Sequence, residues 1–142
     1  MIVVDANPLI YAVNQDSRDH RAKRWLEGAV SGTETVGLPW IVLLAFLRLT
    51  TRPGIFQKPL SVDAAFDVVD AWLQQSSVIV PEPTSRHLQT MRDLVAPLGT
   101  GGNLTSDAHL AALAIEHGAE LCSTDNDFGR FGRLRWRNPL AR

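Results

Sequence analysis

Short apolar runs alternate with amphipathic stretches along this chain, and that alternation most restricts its fold. Ile2-Val3-Val4-Asp5 reads as a strand ending at a carboxylate; Ala6-Asn7-Pro8 breaks the extended pattern, and Leu9-Ile10-Tyr11-Ala12 begins a short helix. His20 to Val30 carries a helical stripe of Ala22, Trp25, Leu26 and Ala29. Thr35 to Leu38 supplies a second strand, and Pro39 helps begin an apolar helix from Trp40 to about Thr50. Ser61 can cap a helix whose packing face includes Ala64, Ala65, Val68, Val69, Trp72 and Leu73, with Asp63, Asp67 and Asp70 on its solvated side. Ser77 to Val80 suggests a third strand. Thr84 or Ser85 can cap a helix to about Val95, followed by a flexible connection from Pro97 to Gly102. A last helix runs from Leu104 or Thr105 to His117 and stops at Gly118. Ala119 to Ser123 and Leu134 to Trp136 complete the strands. Strands alternating with helices predict an α/β fold with a mostly parallel central sheet flanked by helices. With 142 residues, no internal repeat and no linker, a single domain over 1–142 is expected.

Charge and cysteine usage narrow the function classes. Fourteen Lys and Arg against 15 Asp and Glu leave a net charge of -1, so overall charge does not mark a nucleic-acid binder. Arg130, Arg133, Arg135, Arg137 and Arg142 nevertheless crowd the C-terminal segment, where guanidinium groups could contact phosphate or serve a partner or solvent surface. Cys122, the one cysteine, lies in an apolar run and reads as a small buried hydrophobe. No signal-like leader or membrane-length run appears, so no membrane role and a cytoplasmic location are expected. Pro97-Leu98-Gly99-Thr100-Gly101-Gly102 matches neither a P-loop nor a dinucleotide-binding glycine pattern. His20, His87, His109 and His117 lack zinc-ligand spacing, and His109 reads as a surface or packing residue pointing away from Asp107.

Three aspartates occupy chemically suggestive places. Asp5 follows the first strand, Asp107 sits near the start of the late helix, and Asp125 follows the next strand, with Asp127 two residues on. If those strands are neighbours in a parallel sheet, their carboxyl ends open into one crevice and the helix supplies Asp107 from the side. Ionised carboxylates repel one another, so their convergence points to a hard cation such as Mg²⁺, with Mn²⁺ as a substitute, acting on a phosphodiester. Each aspartate alone also has a structural role available, in a turn or at a helix N-terminus. Asn7 could orient Asp5 or a water, the Thr124 hydroxyl could hold Asp125 or a metal-linked water, and Asn103 reads as a helix cap. An aspartyl phosphatase with Asp5 as nucleophile is a further class, but Asp5-Ala6-Asn7 lacks the second early aspartate of that arrangement.

Ile2-Val3-Val4-Asp5-Ala6-Asn7, Pro39 to Arg48, Leu104 to Ala114 with Asp107 at its head, and Ser123-Thr124-Asp125-Asn126-Asp127-Phe128 occur in an order that resembles PIN-domain nucleases, particularly the VapC-like toxins of toxin-antitoxin systems. The last two segments carry most of the specificity. The resemblance implies that Asp5, Asp107 and Asp125 are metal-site acids and that Asp127 completes the pocket or acts through water. It further implies a Mg²⁺-dependent endoribonuclease cutting structured transfer or ribosomal RNA, a VapB-like antitoxin that can enter the active-site groove, and a homodimer. Trp40, Ile41, Leu44, Phe46 and Leu47 would be available to such partners or to the core. The family often has a Glu on the helix after the second strand; here Ala45 stands at that position and no acid lies between Gly37 and Thr50. That departure motivates a second reading, a noncatalytic RNA- or antitoxin-binding protein with a degenerate site.

Overall fold

The computed structural model describes residues 1–141. Strand β1 (Ile2–Val4) is the centre of a five-stranded sheet. On one side lie β2 (Val36–Gly37) and β3 (Val78–Ile79); on the other lie β4 (Glu120–Cys122) and β5 (Trp136–Arg137). Every adjacent pair is parallel, so each connection must cross over the sheet. The crossovers carry helices α1 (Ala6–Val13), α2 (Arg21–Ser31), α3 (Trp40–Thr51), α4 (Val62–Gln74), α5 (His87–Val95) and α6 (Leu104–Glu116). This is the expected α/β architecture, here with all described strand pairs parallel.

Local chemistry explains most element ends. Asp5 terminates β1 and caps α1, its Oδ1 accepting from the Ala6 N–H at 2.7 Å. Ser61 caps α4 through Ala64 N–H at 3.1 Å. Gly118, at φ +65°, reverses the chain after α6 at little steric cost. Three boundaries differ from the sequence expectation. The Thr84 hydroxyl accepts from Arg86 N–H in the turn ahead of α5, so the helix itself starts at His87 without a side-chain cap. The stretch after Val95 begins as a 3₁₀ turn, Ala96–Leu98, that prolongs α5 before the glycines. The last strand is displaced toward the C-terminus because Trp136 and Arg137 pair with Leu121 and Cys122, while Leu134 N–H is taken by the Phe131 carbonyl.

The core lies between sheet and helices. Val3, Val4, Leu121 and Cys122 are fully buried, and Phe46 of α3 meets Trp72 of α4 edge-on with ring centroids 4.8 Å apart. Phe46 is thereby a core residue and unavailable to partners. Cys122 is buried as expected, and burial pushes its thiol up to about 11, which removes it as a nucleophile at neutral pH. Chain order reverses across β1: β2 and β3 are added on one side, β4 and β5 on the other. That switch point opens a crevice at the carboxyl ends of β1 and β4.

Between α5 and α6 runs a polar string that the sequence reading did not foresee. His109 Nδ1 lies 2.8 Å from His87 Nε2, and His87 Nδ1 lies 2.5 Å from Glu116 Oε2. Glu116 also accepts from the Thr84 N–H at 3.0 Å and from the Thr84 hydroxyl. Burial pushes the Glu116 carboxyl up, but the bonds from Thr84 and His87 outweigh it and hold the group below its ordinary value. A depressed folded-state pKa stabilises the fold above the unfolded value of 4.5 and loses that contribution as pH falls through the folded value. Glu116→Gln is therefore expected to cost about 2 kcal/mol at pH 7 in urea unfolding. The gap from wild type should narrow in acid.

Candidate metal centre

The crevice gathers its acids from three elements. Asp5 leaves β1, Asp125 follows β4, and Asp107 stands in the first turn of α6. Carboxylate oxygens of Asp107, Asp125 and Asp127 all lie within 4.8 Å of one another. Asp5 lies outside that trio but shares a cleft of about 580 Å³ with Asp107, lined also by Ile41, Leu44, Ala45 and Ser106. Asp127 is exposed.

Backbone and hydroxyl donors fix these acids in place. Ser123, fully buried, donates its hydroxyl to Asp5 Oδ2 at 2.7 Å and accepts from Asp125 N–H at 3.1 Å. It thus couples the ends of β1 and β4 through one oxygen. Asp125 Oδ1 accepts from Asp127 N–H at 2.9 Å, which sets the spacing of the last two acids. Asn7 Oδ1 accepts from the backbone N–H of Thr124 at 3.1 Å, so Asn7 ties the two loops together and Thr124 takes part through its main chain. Ser123 was missed as a site residue. Its available signal was position: it is the first residue past an apolar strand and opens the acidic segment. Asn103 occupies the residue before α6 but its side chain makes no capping bond.

Electrostatics match a cluster of like charges. Burial raises the Asp5 carboxyl, the bonds from Ser123 and Ala6 lower it, and the nearby Asp125 raises it again, for a net increase. Asp107 is pushed up to about 6 by burial and then by the charges of Asp125, Asp5 and Asp127. The donors are all oxygen, the preference of a hard divalent cation, and such an ion would relieve the repulsion that raises Asp107. The residues therefore fit a divalent metal. The α3 side contributes Ala45 and no acid, as read from sequence. Among the described residues no histidine joins a group of three or more metal ligands.

The C-terminal arginines are tied down locally. Arg130 faces Asp127 at 3.9 Å, Arg133 faces Asp93 at 3.5 Å, Arg135 donates to the Gly118 carbonyl at 2.7 Å, and Arg137 pairs with Glu120 at 3.0 Å. All four remain exposed, each with a local partner, and Arg142 lies outside the described residues.

The PIN domain family model matches residues 2–134. Ribonuclease VapC37 of Mycobacterium tuberculosis is 49% identical over 142 residues, covering 99% of each chain. VapC ribonuclease Mb2897 of Mycobacterium bovis is 41% identical over 141 residues, covering 99% of this chain and 96% of that one. Among solved structures, VapBC-1 from nontypeable Haemophilus influenzae superposes with a TM-score of 0.71 at 14% identity, over 99% of this chain and 100% of that one. At that identity the likeness speaks for the fold.

Two outcomes follow from the charge cluster. Asp107 ionises near 3.8 when unfolded and near 6 when folded, so its proton stabilises the metal-free fold in acid and that contribution is lost as pH rises through 6. At pH 7 without metal, Asp107→Asn should stabilise by on the order of 1 kcal/mol after allowance for solvent screening. Thermal unfolding should show the advantage vanish below pH 4. With Mn²⁺ added, Ser123→Ala should bind the ion more weakly in calorimetry, by roughly tenfold, because Asp5 and Asp125 lose their shared anchor.

Proposed function

This chain belongs to the PIN-domain family, in its VapC group of ribonuclease toxins neutralised by an antitoxin, and we propose that its four clustered aspartates serve Mg²⁺-dependent RNA hydrolysis. Asp107, Asp125 and Asp127 would hold the ion, with Asp5 completing the negative floor of the cleft; Mn²⁺ suits the same oxygen donors. The observation that carries this reading is the meeting of the α6 carboxylate of Asp107 with those of Asp125 and Asp127 from the loop after β4, all within 4.8 Å and beside a cleft. A divalent ion bound there neutralises charge on phosphate oxygens and makes water at the scissile bond more acidic. The chain's own part is placement. Ser123 fixes Asp5 relative to Asp125, Asn7 fixes the Thr124 loop, and Ile41, Leu44 and Leu110 give the cleft apolar walls that strengthen its electrostatics.

Structured transfer RNA or ribosomal RNA is the proposed substrate, and a VapB-like antitoxin and a second copy of the chain are the proposed protein partners. Trp40 and Leu44, 49% and 60% exposed, offer them apolar surface next to the cleft. No helix among the described residues is long and apolar enough to cross a membrane. The absence of an acid at Ala45 favours one competing reading, a binding protein that holds RNA or antitoxin without cutting.

Incubation of the purified chain with transfer and ribosomal RNA separates the two. Hydrolysis should require Mg²⁺ or Mn²⁺, stop with EDTA, and fall by roughly a hundredfold or more in Asp107→Asn and Asp125→Asn. RNA binding with no cleavage that these variants alter would instead establish the noncatalytic reading.

A further inference from the structure

Among the described residues, Arg48 is the one basic side chain lining the acid-bearing cleft. It sits three residues after Ala45 on α3, so the two share a helix face, and both line the cleft with Asp5, Ser106 and Asp107. On that face α3 presents a small methyl at Ala45 and, one turn on, the guanidinium of Arg48. Unlike Arg130, Arg133, Arg135 and Arg137, Arg48 has an exposed side chain with no hydrogen bond or ion pair among the described residues.

Five N–H donors are thus left open on the wall of a cleft whose other charges are negative. The ligand that satisfies both sides has anionic groups at more than one point, one for a cation held by the aspartates and one for the guanidinium. A polynucleotide strand has that form, and a guanidinium matches a phosphate with paired donors. We propose that Arg48 binds an RNA phosphate next to the linkage being cut. This rests on the nuclease reading above for the identity of the strand. Arg48 stands apart from the carboxylates, so its contact is made equally in the ground state and the transition state and sets substrate binding rather than the chemical step.

Fluorescence anisotropy of a labelled single-stranded RNA, in EDTA to prevent cleavage, provides the test. Arg48→Gln should bind roughly tenfold more weakly than wild type. Its slope of log affinity against log salt should shrink by about 0.7, the share of one single-strand phosphate. Arg48→Lys should recover the slope but not the full affinity, because an ammonium keeps the charge and lacks the paired fork. During turnover with Mg²⁺, Arg48→Gln should raise KM and leave kcat close to wild type. Mn²⁺ binding should be unchanged in both variants, which also shows that they fold. Unaltered RNA affinity and salt slope in Arg48→Gln, or loss of its Mn²⁺ binding, would overturn the assignment. If wild type cuts no RNA while Arg48 still governs RNA binding, hydrolysis fails as the function and the phosphate contact stands.

Discussion

Parallel pairing of β1 with β4 is the constraint on which the rest of the molecule depends. Val4 lies opposite Cys122, and the Asp5 N–H closes the ladder on the Cys122 carbonyl at 2.9 Å. Beyond that bond both chains leave the sheet at the same edge, one into α1 and the other into the Ser123–Asp127 loop. A slip of β4 by one residue against β1 would turn Leu121 and Cys122 to the opposite faces and separate Asp125 from Asp5. Packing of α6 reinforces the register. Ala108, Ala111, Ala112 and Ala114 are buried, and small side chains let the helix lie close to the core, which brings Asp107 over the crevice.

Carboxylates brought together by such a frame repel one another, and the fold manages the cost with short local bonds. Asp5 is held at both oxygens, Ser123 joins Asp5 to Asp125, and Asp125 in turn receives Asp127 N–H. Each bond fixes a direction as well as offsetting charge. The acids therefore stand in position before an ion arrives, and little reorganisation accompanies its binding. Asp107 shows no such hydrogen bonds among the described residues; burial first, and then the charges of Asp125, Asp5 and Asp127, raise it to about 6.

Much of this arrangement is legible in the residues. The two central strands, β1 and β4, lie in short apolar runs, and the helices show packing stripes that the fold buries, as in Ala22 and Leu26 or Ala65, Val69 and Trp72. Asp5 and Asp125 are visible because each follows a strand. Other features depend on contacts between distant segments, which local pattern does not carry. The string from His109 through His87 to Glu116 spans two helices, and no spacing within either one announces it. Ser123 looks like an ordinary strand-end residue until β1 is placed beside it. The local partners of the arginine-rich tail, Asp93, Gly118 and Glu120, are remote in sequence or set by strand pairing, so its sequence does not show them.

The central claim is that aspartates from separate elements converge on one cation at the edge of the sheet. Anomalous diffraction from crystals soaked in Mn²⁺ addresses it directly. A single strong peak among the carboxylates of Asp107, Asp125 and Asp127 is the predicted result. Crystals of ordered, ion-accessible protein whose manganese lies only elsewhere, with this crevice empty at saturating metal, would contradict it.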